Sequence, residues 1–180
     1  MKSSIPSEFP RSADSTILFR SLTEDELESS LLPFYLSLDF DKRRERFGGV
    51  VSDDSIRRHC RQLDLNNVIV LACSGPAGLV AVIELHPLSS GWEESELAIA
   101  CNAKVNGATV IAHLLQLAAF AAGKRGCTAF VTPSFSSGCD FLELLRRIGR
   151  VRVESDAVQT DIGEFVHPTV SRRSPNVIFS

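Results

Sequence analysis

The spacing of apolar residues along the chain predicts alternating strands and helices. Residues 16–22 mix β-branched and aromatic side chains, which favours a first strand. Two dense apolar runs, at 67–72 and 78–85, lie on either side of a turn signal at 74–76 and therefore predict a hairpin. A further apolar run at 96–101 predicts the next strand.

Helix-start signals mark two helices before the hairpin. Thr23 and Glu26 have the spacing of a capping box, in which the two side chains satisfy free N–H groups at a helix start. Pro33 is expected to bend or end the helix that follows. Residues 52–55 form a second start signal and predict a helix over 56–63.

The second half of the chain predicts the longest helix, over 109–122, which is apolar almost all round. Such a helix must be buried or shared with a partner. A strand at 128–132, an amphipathic helix at 139–148 and short strands at 151–153 and 157–162 follow. This order predicts an α/β (α+β) domain with a mixed, mostly antiparallel sheet of six to seven strands, flanked by helices.

Composition and charge narrow the class of protein. Of 180 residues, 44% are hydrophobic and 23% charged, as in globular domains. We expect one domain over 16–163, between a flexible N-terminus at 1–15 and a C-terminal tail at 164–180. The formal net charge of −3 lacks the basic excess of nucleic-acid-binding domains, so no nucleic-acid partner is expected.

The cysteines and the lack of long apolar segments indicate the compartment. No run reaches the roughly 20 apolar residues of a membrane span, and the N-terminus has no apolar centre like that of a secretory signal. We therefore expect a cytoplasmic protein with no membrane partner. The five cysteines are widely spaced and form no CxxC pair, which favours reduced thiols over disulfides and predicts no metal site.

Two segments carry a resemblance to a known family. Residues 96–101 read ELAIAC, residues 102–107 read NAKVNG, and residues 110–115 read VIAHLL. They match, without a gap, a glutamate-led strand, a short turn, and a loop that opens a helix ending in Leu-Leu. The basic-aromatic run LDFDKRRERF at 38–47 is similar to one that precedes the second helix in some members. With the strand order, these segments resemble the GNAT superfamily of acetyltransferases over roughly 16–163.

The resemblance implies acetyl-CoA, or another acyl-CoA, as co-substrate and an amine of a small molecule or a protein lysine as acceptor. In the family one strand splays from its neighbour and its backbone pairs with the pantetheine arm. The N–H groups at the start of the following helix hold the pyrophosphate. The cofactor-binding residues expected from this likeness are Ile99, Ala100, Cys101, Asn106, Gly107, Ala108, Thr109, Val110 and Ile111.

The loop also departs from the family pattern. Asn106 replaces a Gln or Arg, and Thr109 and Ile111 replace two glycines. The family's usual acid is a tyrosine four residues before a glycine, and counting back from Gly149 gives Leu145. These departures leave an alternative open, a catalytically inactive GNAT-like regulatory or binding module. The long apolar helix leaves room for a homodimer or a protein partner.

The candidate base is Glu96, because a glutamate on this strand can take a proton from the amine, usually through water. The alternative is a simple carboxylate at a strand edge. His86 is a second candidate base, against the alternative of a loop histidine without a role. His59 has no recognisable partner, and His113 is expected in the core or at an interface. The charge run at 42–46 is expected to be a solvated helix face.

Overall fold

The computed structural model describes residues 17–102, 107–133 and 139–163. Seven strands of this part form one sheet in the order β1-β2-β3-β4-β5-β7-β6. The strands are β1 (Leu18–Ser21), β2 (Ile69–Gly75), β3 (Gly78–Pro87), β4 (Glu94–Cys101), β5 (Ala129–Pro133), β6 (Arg150–Val153) and β7 (Ala157–Asp161). Every neighbouring pair is antiparallel except β4 and β5. The predicted mixed, mostly antiparallel sheet is confirmed.

Helices cover both faces of the sheet. They are α1 (Glu24–Glu26), α2 (Leu32–Ser37), α3 (Phe40–Phe47), α4 (Asp53–Gln62), α5 (Gly107–Gly123) and α6 (Cys139–Arg146), and a π-helical turn at Leu27–Leu31 joins α1 to α2. One apolar cluster lies between the sheet and α5 and α6, and a second lies between the sheet and the first four helices. Each large aliphatic side chain buried there contributes about 1.5–3 kcal/mol.

The alternation of side chains along β3 decides which residues meet which helices. Ala81, Ile83 and Leu85 belong to the cluster under α5 and α6. Val82 belongs to the opposite cluster, and Glu84 lies on that same face because successive side chains of a strand alternate. A fully buried carboxylate therefore points towards the first four helices.

The first helical segment continues past Pro33 to Ser37. Proline has no N–H to give to the preceding turn, and the wider π turn before it, in which Leu32 N–H donates to the Leu27 carbonyl oxygen, accommodates that loss. At the segment's start, the backbone N–H of Thr23 donates to Glu26 Oε2 at 3.1 Å, as the capping box predicts. The segment is therefore distorted at the proline rather than ended by it.

The expectation of a solvated face for the charge run at 42–46 is wrong at one position. The run forms α3, which ends at Gly48 in the left-handed conformation with φ 73°. Arg44 and Glu45 are exposed, but the side chain of Arg46 is only 6% exposed and forms an ion pair with Glu84. The hydrophobic pattern could not reveal this, because the partner lies on a distant strand.

Helix α5 packs its small and aliphatic side chains against the sheet and leaves Leu117 and Phe120 exposed. His113 is exposed too, so it does not lie in the core, and its alternative place at an interface stays a prediction. Its Nδ1 lies 2.9 Å from the carbonyl oxygen of Thr109, and its ring centroid lies 5.5 Å from that of Phe19. No helix in the described part of the chain is both long and apolar enough to cross a membrane.

The side chains of four cysteines are described, and these four are free thiols. Cys60, Cys73 and Cys127 are buried, and Cys101 is partly buried. Burial raises the pKa of the Cys60 thiol to about 12, and the nearby Glu84 charge adds to this effect. Three of the four thus pack in the core as small apolar side chains do.

Candidate functional site

Strands β4 and β5 separate after a short parallel ladder. They pair at only three positions, the last of which joins Glu96 to Val131. Beyond that point β4 continues to Cys101, still paired with β3, while β5 stays paired with β7. Among the described residues, the edge of β4 that faces β5 is therefore open from Leu97 onward, which leaves backbone groups for a ligand to bind.

Two cavities lie along this open edge. The first, here called the histidine cavity, has a volume of about 320 Å³ and is lined by residues that include Glu45, His59, His86, Glu96, Ile99 and Pro133. The second, the strand-end cavity, has a volume of about 210 Å³ and is lined by Lys42, Glu45, Ile99, Ala100, Cys101, Ile111, Thr132 and Phe141. Because Ile99 and Glu45 line both, the cavities adjoin one another along β4.

The residues expected to bind a cofactor divide into two groups. Ile99, Ala100 and Cys101 line the strand-end cavity together with Ile111, as a site at the end of the strand requires. Asn106 lies outside the described residues.

The other residues expected to bind a cofactor, at positions 107–110, form the first turn of α5. Ala108 and Thr109 are exposed, whereas the side chain of Val110 is buried in the core. Val110 therefore has only its backbone to offer a ligand. An added Cβ at Gly107 would lie 3.4 Å from Cys101 Sγ, a close but ordinary contact. Gly107 thus holds the start of the helix close to the end of β4.

One hydroxyl at the strand-end cavity lacks a partner. Thr132 is 2% exposed, and its Oγ1 makes no hydrogen bond within the described residues. It follows Val131, the last residue of β5 that pairs with β4. A buried hydroxyl without a partner costs about 1–3 kcal/mol, and a ligand with a polar group in this cavity would remove that cost.

The histidine cavity is built on a buried polar cluster around Glu84. The Tyr35 hydroxyl donates to Glu84 Oε1 at 2.5 Å, and Arg46 forms an ion pair with Oε2. Nε2 of His86 lies 2.8 Å from Oε2, and Nε2 of His59 lies 3.0 Å from the same oxygen. The carboxylate thus has four partners from three helices and its own strand.

This arrangement fixes the charges in the cluster. Burial alone would raise the pKa of the Glu84 carboxyl, but the charge of Arg46 and the hydrogen bonds of the two histidines outweigh it and hold that pKa well below its usual range. Burial also disfavours the charged Arg46, yet attraction to Glu84 raises the pKa of the guanidinium. Burial raises the pKa of the Tyr35 hydroxyl well above its usual range. At neutral pH the cluster therefore holds one ion pair and a neutral tyrosine.

Known proteins match this chain only through their structures. No family model matches the sequence, and no curated protein matches it either. The GNAT domain of PAT from S. lividans matches with a TM-score of 0.62 and 18% identity, over 79% of this chain and 89% of that one. A GNAT superfamily phosphinothricin acetyltransferase from Sinorhizobium meliloti, in complex with AcCoA, matches with a TM-score of 0.60 and 12% identity, over 83% and 90%. The chain has the GNAT fold.

A third match adds to the picture of the GNAT fold. The PaiA N-acetyltransferase from Thermoplasma acidophilum, in complex with coenzyme A, has a TM-score of 0.56 and 17% identity, over 81% of this chain and 99% of that one. Solved GNAT structures thus include proteins that hold coenzyme A or AcCoA. The predicted resemblance to the GNAT superfamily is confirmed for the fold.

The sequence did not reveal how the polar residues of this GNAT domain meet. His59 bonds to Glu84, and Arg46 Nη2 lies 3.4 Å from the same ring nitrogen, although the sequence neighbours of His59 indicate no partner. The available signal was Glu84 itself, a charged residue at an inward position of a long apolar run. Leu145 is fully buried in the core, in keeping with an apolar residue where the family has its tyrosine. Tyr35, the chain's only tyrosine, is fully buried in the cluster.

The described residues contain no group of three or more His, Cys, Asp or Glu side chains placed to hold a metal ion. Beside the histidine cavity the Glu84 carboxylate lies between two imidazoles, and that carboxylate is already paired with Arg46. The chemistry that these side chains offer is therefore proton transfer and the binding of polar ligands.

Proposed function

We propose that this protein is an acyl-CoA-dependent N-acyltransferase, which moves an acetyl group from acetyl-CoA to an amine of a small molecule or a protein lysine. The observation that carries the proposal is the open edge of β4, with a cavity on each side of Ile99. An extended pantetheine arm can pair with the unpaired backbone there, as an added strand would.

The two cavities suit the two substrates. The strand-end cavity lies beside Ile111 in the first turns of α5, so we assign it to the pantetheine arm, with a polar contact from Thr132. The histidine cavity is lined by two imidazoles and by the carboxylate of Glu96, which has no bond to another described side chain, so we assign it to the acceptor amine. The thioester carbon then lies between them, near Ile99.

In the proposed reaction the amine nitrogen attacks the thioester carbon directly. A C–N bond forms, the C–S bond breaks, and coenzyme A leaves as a thiolate. An alkyl ammonium must first lose a proton, and we propose that Glu96 takes that proton through a water molecule. The fold contributes mainly by holding amine and thioester at reacting distance.

Binding is tested by thermal unfolding with and without acetyl-CoA. At about 100 times its dissociation constant, acetyl-CoA should stabilise the folded state by roughly 2.7 kcal/mol, and the midpoint should rise by about 5–10 °C. Ile111→Trp fills the strand-end cavity and should abolish the shift. Leu117→Trp, the matched control on the exposed face of α5, should keep it. The absence of a shift with acetyl, propionyl and longer acyl-CoA would refute the proposal.

Catalysis is tested by the release of coenzyme A in the presence of an amine panel. Glu96→Gln should slow release by about 100-fold or more if the carboxylate removes a proton. Unchanged turnover would exclude Glu96 from the mechanism. If acetyl-CoA binds but no amine releases coenzyme A, the result favours the alternative, an inactive binding module, to which the replacement of two loop glycines by Thr109 and Ile111 also points.

A further inference from the structure

Two histidines share one buried carboxylate at the histidine cavity. Nε2 of His86 and Nε2 of His59 both lie within hydrogen-bond distance of Glu84 Oε2. Because an ionised carboxylate only accepts hydrogen bonds, each Nε2 must carry a hydrogen. In a neutral ring the lone pair is then on Nδ1, and no other described residue bonds to Nδ1 of either ring.

The two rings share their carboxylate with a buried guanidinium. The negative charge of Glu84 is already balanced by Arg46, which is almost fully buried. A protonated histidine would add a second positive charge beside that guanidinium. The titratable and charged groups that surround His86 are Tyr35 of α2, Glu45 and Arg46 of α3, His59 of α4, Glu84 of β3 and Glu96 of β4.

His86 is better placed than His59 to accept a proton. Arg46 Nη2 lies 3.4 Å from Nε2 of His59, and like charges at that distance disfavour protonation of the ring. His86 lies directly opposite Glu96 in the ladder between β3 and β4. A positive charge on His86 therefore has a carboxylate on its own strand and another on the neighbouring strand.

We propose that His86 is a catalytic residue that accepts a proton from the acceptor amine as the amine attacks the thioester, and that Glu84 is the positioning residue that holds its ring. This inference rests on the proposed acyl transfer. The ammonium loses its first proton to Glu96. The second N–H proton passes to His86 Nδ1 as the C–N bond forms and the C–S bond breaks. The imidazolium then gives that proton to the coenzyme A thiolate, so an amide and a thiol leave the site.

His86→Gln tests the catalytic role, because an amide can still donate to Glu84 but has no basic nitrogen. We expect kcat to fall by about 100-fold or more, with acetyl-CoA binding within a factor of three of wild type. His59→Gln makes the same replacement beside Glu84 and should lower kcat by less than about ten-fold. Equal losses in the two variants, or a His86→Gln variant above a tenth of the wild-type kcat, would overturn the proposal.

The pH dependence of kcat separates proton transfer from a structural role. Wild-type kcat should decline on the acid side as an imidazole takes up a proton, and His86→Gln should lose that decline while His59→Gln keeps it. The same acid decline in His86→Gln would exclude His86 as the proton acceptor.

Nitrogen NMR of the resting protein tests the positioning role of Glu84 without turnover. In the neutral form of His86 it should show the hydrogen on Nε2, and a neutral ring with its hydrogen on Nδ1 would refute that role. If the wild-type protein binds acetyl-CoA and acetylates an amine, these measurements judge His86 and Glu84 alone. If it acetylates no amine, the proposed function fails, and the catalytic role of His86 fails with it.

Discussion

Replacing Arg46 by methionine should destabilise the fold more than any exposed charge change. The variant leaves the fully buried Glu84 without its ion-pair partner. Breaking a buried pair from one side costs about 3–5 kcal/mol. We expect the lower end, about 3 kcal/mol, because Tyr35, His59 and His86 still donate to the carboxylate. For a chain of this size the melting temperature should fall by about 6–12 °C.

Urea unfolding against Arg61→Met gives the matched comparison. Arg61 pairs with Glu28 at 2.9 Å, but the two side chains are 67% and 63% exposed, so that variant should lose about 0–1 kcal/mol. A loss within about 1 kcal/mol of Arg61→Met would refute the assignment of a desolvated ion pair.

Three further predictions concern single contacts. Tyr35→Phe removes the hydroxyl that donates to Glu84 and keeps the ring in place, so it should cost about 1.5–3 kcal/mol in urea unfolding. Gly149→Ala places a Cβ 2.0 Å from a backbone oxygen of β7 and should cost about 1–3 kcal/mol, whereas Gly49→Ala, with no atom within 4 Å, should cost little. The hydrogen bonds from Arg20 and Thr23 lower the pKa of Glu26 to about 2. The ionised carboxylate therefore contributes about 1 kcal/mol of stability above about pH 4.5, and this contribution is lost as the pH falls from there towards about 2. Glu26→Gln should flatten this part of the stability profile.

Local chemistry made most of the elements predictable. The turn at Pro76 and Ala77 follows from the proline, which has no N–H to give to a strand. The start of α4 follows from Ser52, whose hydroxyl accepts from the N–H of Ser55. The parallel pair β4–β5 also followed from the helix between those strands. The histidine cavity could not be predicted in this way, because Arg46 and Glu84 are 38 positions apart and only tertiary packing brings them together.

The buried ion pair of Arg46 and Glu84 loses the hydration of both charges when the chain folds. Replacement of a buried ion pair by apolar residues of similar volume is often neutral or stabilising, and two large apolar clusters already hold the sheet to its helices. Stability alone therefore does not account for Glu84 on β3. Its place is explained by what it holds at the cavity wall, since one carboxylate fixes two imidazoles with the same nitrogen turned inward. Both rings line the histidine cavity, at the point where β4 leaves β5.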